Sequence, residues 1–478
     1  MTPSKIKLDI CRPARAVVVG AGISGLSAAI ALRRAGWHVQ VLEKSQFKNE
    51  IGAAITITPN ATLVLDRWGF DMEKAKAVPN QQKLMFMAGS TTVLQHEEYE
   101  DLPRTFGHGV WSLHRVDLHR GLRELATCAA SDFGKGSKEQ TQIMRGPPVD
   151  IQLGTQAVGL DCERGAVKLI DGRTVQADLV IVADGAHVSL IASREAIPLN
   201  SRAKDCQSRL IADFTGQPST LKCTGRSVYR WLISMKDIMA DPILNSLYTS
   251  NRPGFISWLN THNDIFWVTY QCRRGEVLNV AVVHPTQPGE GDEDHWHCPV
   301  SQDQVLSTLA NFHPSLQQMV KMANEDGIKV HRLYKRDVLT SFVRGKTAII
   351  GDAAHLMMPT HAAGAGTAIE SAAALEILFR GVYAGDEATV GSRLRLFDKL
   401  RVPRCNLTML LSNAGPAGLR VPGVEEEVRK FYSGPLPDRM EKPYSRPFME
   451  LLFKHDEFLA AEQLLAEDQQ KKDGKDKH

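Results

Sequence analysis

Gly20, Gly22 and Gly25 stand in G-x-G-x-x-G spacing, and an acid, Glu43, follows 18 residues after the last of them (25 to 43). Residues of these types at these intervals suit a dinucleotide. Gly20 permits a tight turn, Gly22 lets a pyrophosphate reach the backbone, and Gly25 lets a helix lie close on a strand. The diphosphate then sits at a helix N-terminus, where free N–H groups and the dipole favour negative charge. Glu43, with Lys44 beside it, is placed to take ribose hydroxyls.

The surrounding stretch supplies the elements that this chemistry needs. AVVVGAGISGLSAAIALRRAGWHVQVLEK (16–44) reads as a buried strand over Ala16–Val19 and a helix from Leu26 to about Ala35 stopped by Gly36. A second strand, Val39–Leu42, ends in Glu43. A bare three-glycine match is weak; strand, helix, strand and terminal acid in order make it specific. Gly52 and Ala53 suit another close backbone approach, and a helix is expected after Pro59-Asn60, over Ala61–Trp68.

Further along, Leu113, Val116, Leu118, Leu122 and Leu125 are spaced for a helix with one buried face. On that pattern alone Arg115 and Arg120 are solvated charges. Ser131 to Asp150 reads as an exposed loop, and Asp171-Gly172 as a hairpin turn. ADLVIVADG (177–185) is a buried strand ending in Asp184-Gly185, where α/β sheets place ligand contacts and where turn aspartates also occur. The architecture resumes at 345–382, with a strand over Thr347–Ile350, a turn at Gly351-Asp352 and a long helix begun by Gly364-Ala365-Gly366.

Residues 196–335 differ: strand-like segments, an acidic loop (PTQPGEGDEDHWH) and helical pattern around 302–324. His295, His297 and Cys298 cluster there, but no second ligand pair has site-like spacing, so no metal is expected. Arg230 alternates with Val228 and Leu232 on one strand face, which leaves a surface arginine and an inward-facing one equally open. Trp231, Trp258 and Trp267 read as core before pocket lining. Residues 395–412 look helical, and 449–466 amphipathic.

The chain has 478 residues, 43% apolar and 23% charged, with 57 basic against 54 acidic side chains, a net charge of +3. That balance gives no reason to expect nucleic acid or an anionic membrane as partner. No stretch approaches the length of a membrane span. Eight scattered cysteines without C-x-x-C, behind an N-terminus lacking a signal-like apolar core, point to reduced thiols in a cytoplasmic protein.

Three separated blocks, GAGISGL…VLEK, DLVIVADG and IIGDAAHLMMP…GAGTAIE, together resemble the single-component FAD-dependent aromatic hydroxylases, above all the salicylate-hydroxylase-like monooxygenases. The likeness covers most of residues 15–412. It implies an α/β fold: a Rossmann-like FAD-binding domain of the glutathione-reductase type with an inserted β-rich substrate domain. The expected divisions are 15–80, 108–195 and 336–412 for the first, and 81–107 with 196–335 for the second. A C-terminal helical segment (413–466) and a disordered polar tail (467–478) follow.

The resemblance implies a resident FAD, NAD(P)H as transient reductant, O2, and a small phenolic substrate hydroxylated through a flavin C4a-hydroperoxide. Gly20, Gly22, Gly25, Glu43, Lys44, Gly52 and Ala53 would then bind the cofactor. So would Arg115 in its H-R-x-D-L helix, Asp184 and Gly185 (with Asp178 in the same block), Asp352, and Gly364, Ala365 and Gly366. Pro359 would lie over the flavin edge where oxygen reacts, and Arg230 and Tyr270 would address the substrate. His355 travels with the flavin loop. The chain departs from the family at Ala362-Ala363-Gly364, at Ser371 and over 186–191 (AHVSLI). An FAD epoxidase or oxidative-dearomatisation enzyme would use the same residues, and a flavin-dependent halogenase and a non-enzymatic flavin redox sensor are the remoter readings.

Overall fold

The computed structural model describes residues 12–47, 53–90, 92–129, 145–185, 209–217, 221–290, 298–324, 326–442 and 444–475. The first sheet runs in the order Val343–Arg344, Thr347–Ile349, Leu179–Val182, Arg15–Val19, His38–Glu43, Asp150–Leu153. Its strands are parallel except for the antiparallel Val343–Arg344 edge. Val17, Val18, Val180 and Ile181 are buried to 1% or less, as strands covered on both faces must be. The helix Ile23–Ala35 ends at Gly36 in the left-handed region (φ 102°), whose N–H bonds back to Arg33 and Leu32 carbonyls. That helix packs beside the helix Gly364–Leu378, whose small residues Ala368, Ala372, Ala373 and Ala374 are buried to 2% or less.

A second, eight-stranded sheet runs Cys298–Pro299, Lys329–Arg336, Leu221–Ser234, Val277–Pro285, Ile265–Cys272, Gly254–Asn260, Gln82–Met87, Val93–Glu98. One face carries Tyr229, Trp231, Trp258, Trp267, Leu84 and Phe86 into a core closed by the helices Gln302–Thr308 and Pro314–Lys321. The three tryptophans are core residues, all at 3% exposure or less. The opposite face carries Val228, Ala281 and Leu333 against Met358, which follows the short helix Asp352–His355.

Two contacts pin the second sheet to the first unit. Tyr270 Oη donates to Ala54 O (3.1 Å) and Ala54 N donates to Asn279 Oδ1 (3.2 Å), so the strand Ala54–Ile57 is tied beneath the sheet. Arg273, in a left-handed turn (φ 53°), bonds Asp117 Oδ2 at 2.9 Å.

The segment from 467, expected as a disordered tail, instead continues the helix Glu457–Lys475. Phe458, Ala461 and Leu464 bury its inner face, and Lys472 pairs with Asp468 one turn back at 2.8 Å. Composition alone marked this stretch as too polar; an anchored helix start lets good helix formers such as Ala, Glu, Gln and Lys propagate. The cluster His295/His297 lies outside the described residues. Among those residues no group of three metal-ligating side chains occurs, and no helix is long and apolar enough to cross a membrane.

Candidate FAD and substrate site

The carboxyl ends of the strands Arg15–Val19, His38–Glu43 and Leu179–Val182 open onto a cavity of about 430 Å³. Gly20, Gly22, Glu43, Lys44, Arg115, Asp184 and Gly185 all line it. A Cβ on Gly25 would lie 1.9 Å from Gly20 O, so only glycine lets the helix sit on the turn. A Cβ on Gly22 would meet nothing within 4 Å, which leaves that backbone open to a diphosphate. No side chain caps the helix at Gly22, and its first-turn N–H groups are left for a ligand.

Glu43 is 8% exposed, and its two oxygens accept from Ala21 N and Ser45 N at 2.7 Å each. Each oxygen keeps a second lone pair for a ribose hydroxyl. His119, missed in the sequence, hydrogen-bonds Ala21 O at 2.7 Å and meets the Phe47 ring edge-on at 4.8 Å. The signal was present: it lies one helical turn past Arg115 on the same face.

The other half of the site runs beneath the second sheet. Asp352 and Pro359 are exposed while Ala353, Ala354, His355, Leu356 and Met358 around them are buried. Enclosure by protein pushes the Asp352 carboxyl above its usual range, and His355, Arg115 and Arg336 pull it back down. Arg336 ends the strand Lys329–Arg336 and is held close by its backbone bond to Leu356 O (3.2 Å); its charge also faces Asp184. No motif marked it. Burial pushes His355 down to about 4 against the pull of Asp352, so its imidazole is neutral at pH 7.

Ala363 gives the helix Gly364–Leu378 no side-chain cap, and a Cβ on Gly364 would meet nothing within 4 Å. Ala365 is half-buried beside it. Gly366 is packed, a Cβ there lying 2.8 Å from Thr58 Oγ1. Ala53 O accepts from Arg115 N (3.0 Å), which sets this strand's start against the Arg115 helix. Gly52 lies outside the described residues.

Arg230 is half-buried on the face of Val228, its Nε without a hydrogen-bond partner among the described residues. Burial pulls its guanidinium pKa down, Tyr270 raises it and Arg115 lowers it, so the three groups share one neighbourhood. Burial also pushes the Tyr270 hydroxyl up to about 12. Arg115 is thus within electrostatic reach of Asp352 and of Arg230, which in turn neighbours Tyr270. Asp178 is not: its carboxylate accepts from Arg15 N (2.9 Å), at the amino end of the sheet and away from the ligand end.

An uncapped helix start with open glycine backbone, an acid at the second strand's end and a second uncapped helix start across the cleft form a donor set that fits FAD. A family profile described as "FAD binding domain" matches residues 14–395. The chain belongs to this family, that of the FAD-dependent aromatic hydroxylases, and is an FAD-dependent monooxygenase. It is 29% identical over 377 residues to an FAD-dependent monooxygenase of Diaporthe leptostromiformis, covering 79% of this chain and 86% of that one. It is 28% identical over 402 residues to hispidin-3-hydroxylase of Neonothopanus nambi, covering 81% and 85%. In fold it is similar to a salicylate hydroxylase solved with substrate, at a TM-score of 0.67 and 21% identity over 95% of this chain and 98% of the other. A substituted form of Klebsiella pneumoniae HpxO complexed with FAD matches at 0.62, with 19% identity over 84% and 88%.

Proposed function

We propose that the chain hydroxylates a small phenolic ring, with one oxygen atom of O2 entering the product and NAD(P)H as electron donor. In balance, the aromatic C–H, O2, NAD(P)H and a proton give the phenol product, water and NAD(P)+. FAD supplies the redox chemistry when bound, and the protein supplies orientation, electrostatics and exclusion of water.

Gly20, Gly22 and Gly25 hold the diphosphate and Glu43 the ribose. Asp352 and Arg115 hold the ribityl side, with Asp184, Gly185 and Arg336 closing that wall. The start of the helix Gly364–Leu378 would stabilise negative charge on the reduced ring system, a placement worth about 0.3–1 kcal/mol exposed and up to ~2 partly buried. Pro359 would lie beside the ring system. Arg230 favours the ionised form of the substrate hydroxyl, which makes the ring carbon more nucleophilic, and Tyr270 fixes the roof above it.

The observation that supports this reading is the position of Arg115, within electrostatic reach of Asp352 and of the Arg230–Tyr270 pair. Stopped-flow mixing of holoprotein with NADPH and NADH tests it: bleaching of the flavin accelerated by a phenol is expected. No reduction by either nicotinamide, with or without phenols, would remove the reading. Arg230→Ala is expected to keep FAD and to lose the acceleration.

A further inference from the structure

A second cavity, of about 370 Å³, lies against the helix Pro59–Arg67 and shares no lining residue with the cavity proposed for the cofactor. Its size is that of a small-molecule site. Thr62 and Asp66, one turn apart on the helix, form one wall. The strands Val78–Asn80 and Val110–His114 form another, through Pro79, Asn80 and Trp111. Tyr99 lines the cavity and meets Phe255 edge-on, ring centres 6.1 Å apart; Phe255 in turn meets Tyr270 at 5.4 Å. On this path Tyr99 and Phe255 stand between the cavity and Tyr270.

The lining holds two carboxylates, Asp66 and Glu100, and no lysine or arginine. Glu100 is exposed and already paired with Arg252 at 2.6 Å. Asp66 is also exposed, and its carboxylate has no cation partner among the described residues. Three aromatic rings border the same space: Phe70 and Tyr99 are buried and Trp111 is half-buried. Asn80 is 4% exposed; its Nδ2 donates to Ser112 Oγ at 2.8 Å, and its Oδ1 has no partner among the described residues.

An unpaired carboxylate, an orphan carboxamide acceptor and aromatic ring faces share one preference, a cation that donates hydrogen bonds. An anion would meet Asp66 and Glu100 with no lysine or arginine in the lining to offset them. A purely apolar ligand would cover Asn80 Oδ1 without giving it a donor. We propose that this cavity binds a small organic ammonium ion, an aryl-alkyl amine in its protonated form. Asp66 meets its charge, Asn80 is the second acceptor, and Phe70, Tyr99 and Trp111 hold its body. The site does not depend on the phenol-hydroxylating reading.

The test is isothermal titration calorimetry of FAD-loaded protein at pH 7 with 2-phenylethylammonium and with its neutral analogue 2-phenylethanol. Wild type is expected to bind the ammonium about tenfold tighter or more, the value of one hydrogen bond to a charged group. Asp66→Asn, at an exposed position, should lose that preference at unchanged FAD content, and Asp66→Glu should keep most of it. Trp111→Leu should weaken both probes. Arg230→Ala should bind the ammonium as wild type does, because the site is not the one proposed for the substrate. If Trp111→Leu does not fold, the two Asp66 variants still decide. No heat from either probe at millimolar concentration, equal binding of the two, a preference that survives Asp66→Asn, or ammonium binding lost in Arg230→Ala would overturn the assignment.

Discussion

Asp352 is the residue on which the late half of the proposed site turns, its carboxylate within electrostatic reach of His355, Arg115 and Arg336. Asp352→Ala should give folded protein that loses FAD on gel filtration, at least tenfold weaker in retention, the worth of one hydrogen bond to a charged group. Yellow protein with unchanged affinity would contradict its role. His361 gives a second prediction. Burial, with Lys83 adding to it, holds its imidazole at about 3, below the reference value near 6.5. A depressed folded value means that stability is full above about pH 6.5 and drains as the pH falls toward 3, because the unfolded chain binds the proton first. The melting temperature of His361→Leu should therefore fall less than that of wild type between pH 7 and pH 5; parallel curves would contradict it. Legibility at this scale followed sequence distance. Gly20 to Glu43 could be read because turn, helix and acid are local. Arg230 could be half-read, since alternation with Val228 and Leu232 gave its face but not what lay beyond. Lys83, Arg336 and His361 could not, because their surroundings come from other strands and loops, Tyr444 beside Lys83 and His361, and Leu356 and Asp184 beside Arg336.

The helix Glu387–Asn413 carries Arg401 and Arg404, and both meet Glu370 of the helix Gly364–Leu378. Arg401 also pairs with Glu457 at the start of the last helix, and Arg404 bonds Leu451 O (2.9 Å) and Leu452 O (2.5 Å). Asn60 Nδ2 donates to Glu370 Oε1 at 2.7 Å. Arg401, Glu370 and Glu457 are all 1% exposed or less. This network ties the C-terminal helices to the helix Gly364–Leu378. Arg401→Met would leave Glu370 short of one partner and Glu457 dependent on His455, and should cost about 3–5 kcal/mol in urea unfolding. A loss under about 1 kcal/mol would mean that the network is neutral, as well-packed hydrophobic replacements of ion pairs often are. None of this was visible in the amphipathic pattern of 449–466, which predicts a buried face but not the charges that meet it. The polar run after it gave the wrong answer for the same reason: composition carries no information about an anchored helix start.

The two sheets divide the work of the molecule. The parallel sheet opens its carboxyl ends onto the cavity proposed for the cofactor, and the antiparallel sheet is pinned to the first unit by Tyr270 and Asn279 at Ala54. The α/β class and the inserted β-rich unit were legible from three separated blocks. The pinning was not, since it joins residue 54 to residues 270 and 279. On the proposed function the reaction needs both units, the first for the dinucleotide and the second for the ring. The most direct measurement is turnover of holoprotein under ¹⁸O2 with NAD(P)H and a panel of phenolic acids and polyketide phenols, read by mass spectrometry. The expected result is a product heavier by one oxygen atom that carries the label, with label in water giving none. Nicotinamide consumption across the whole panel that ends only in hydrogen peroxide, or a product whose new oxygen comes from water, would contradict it.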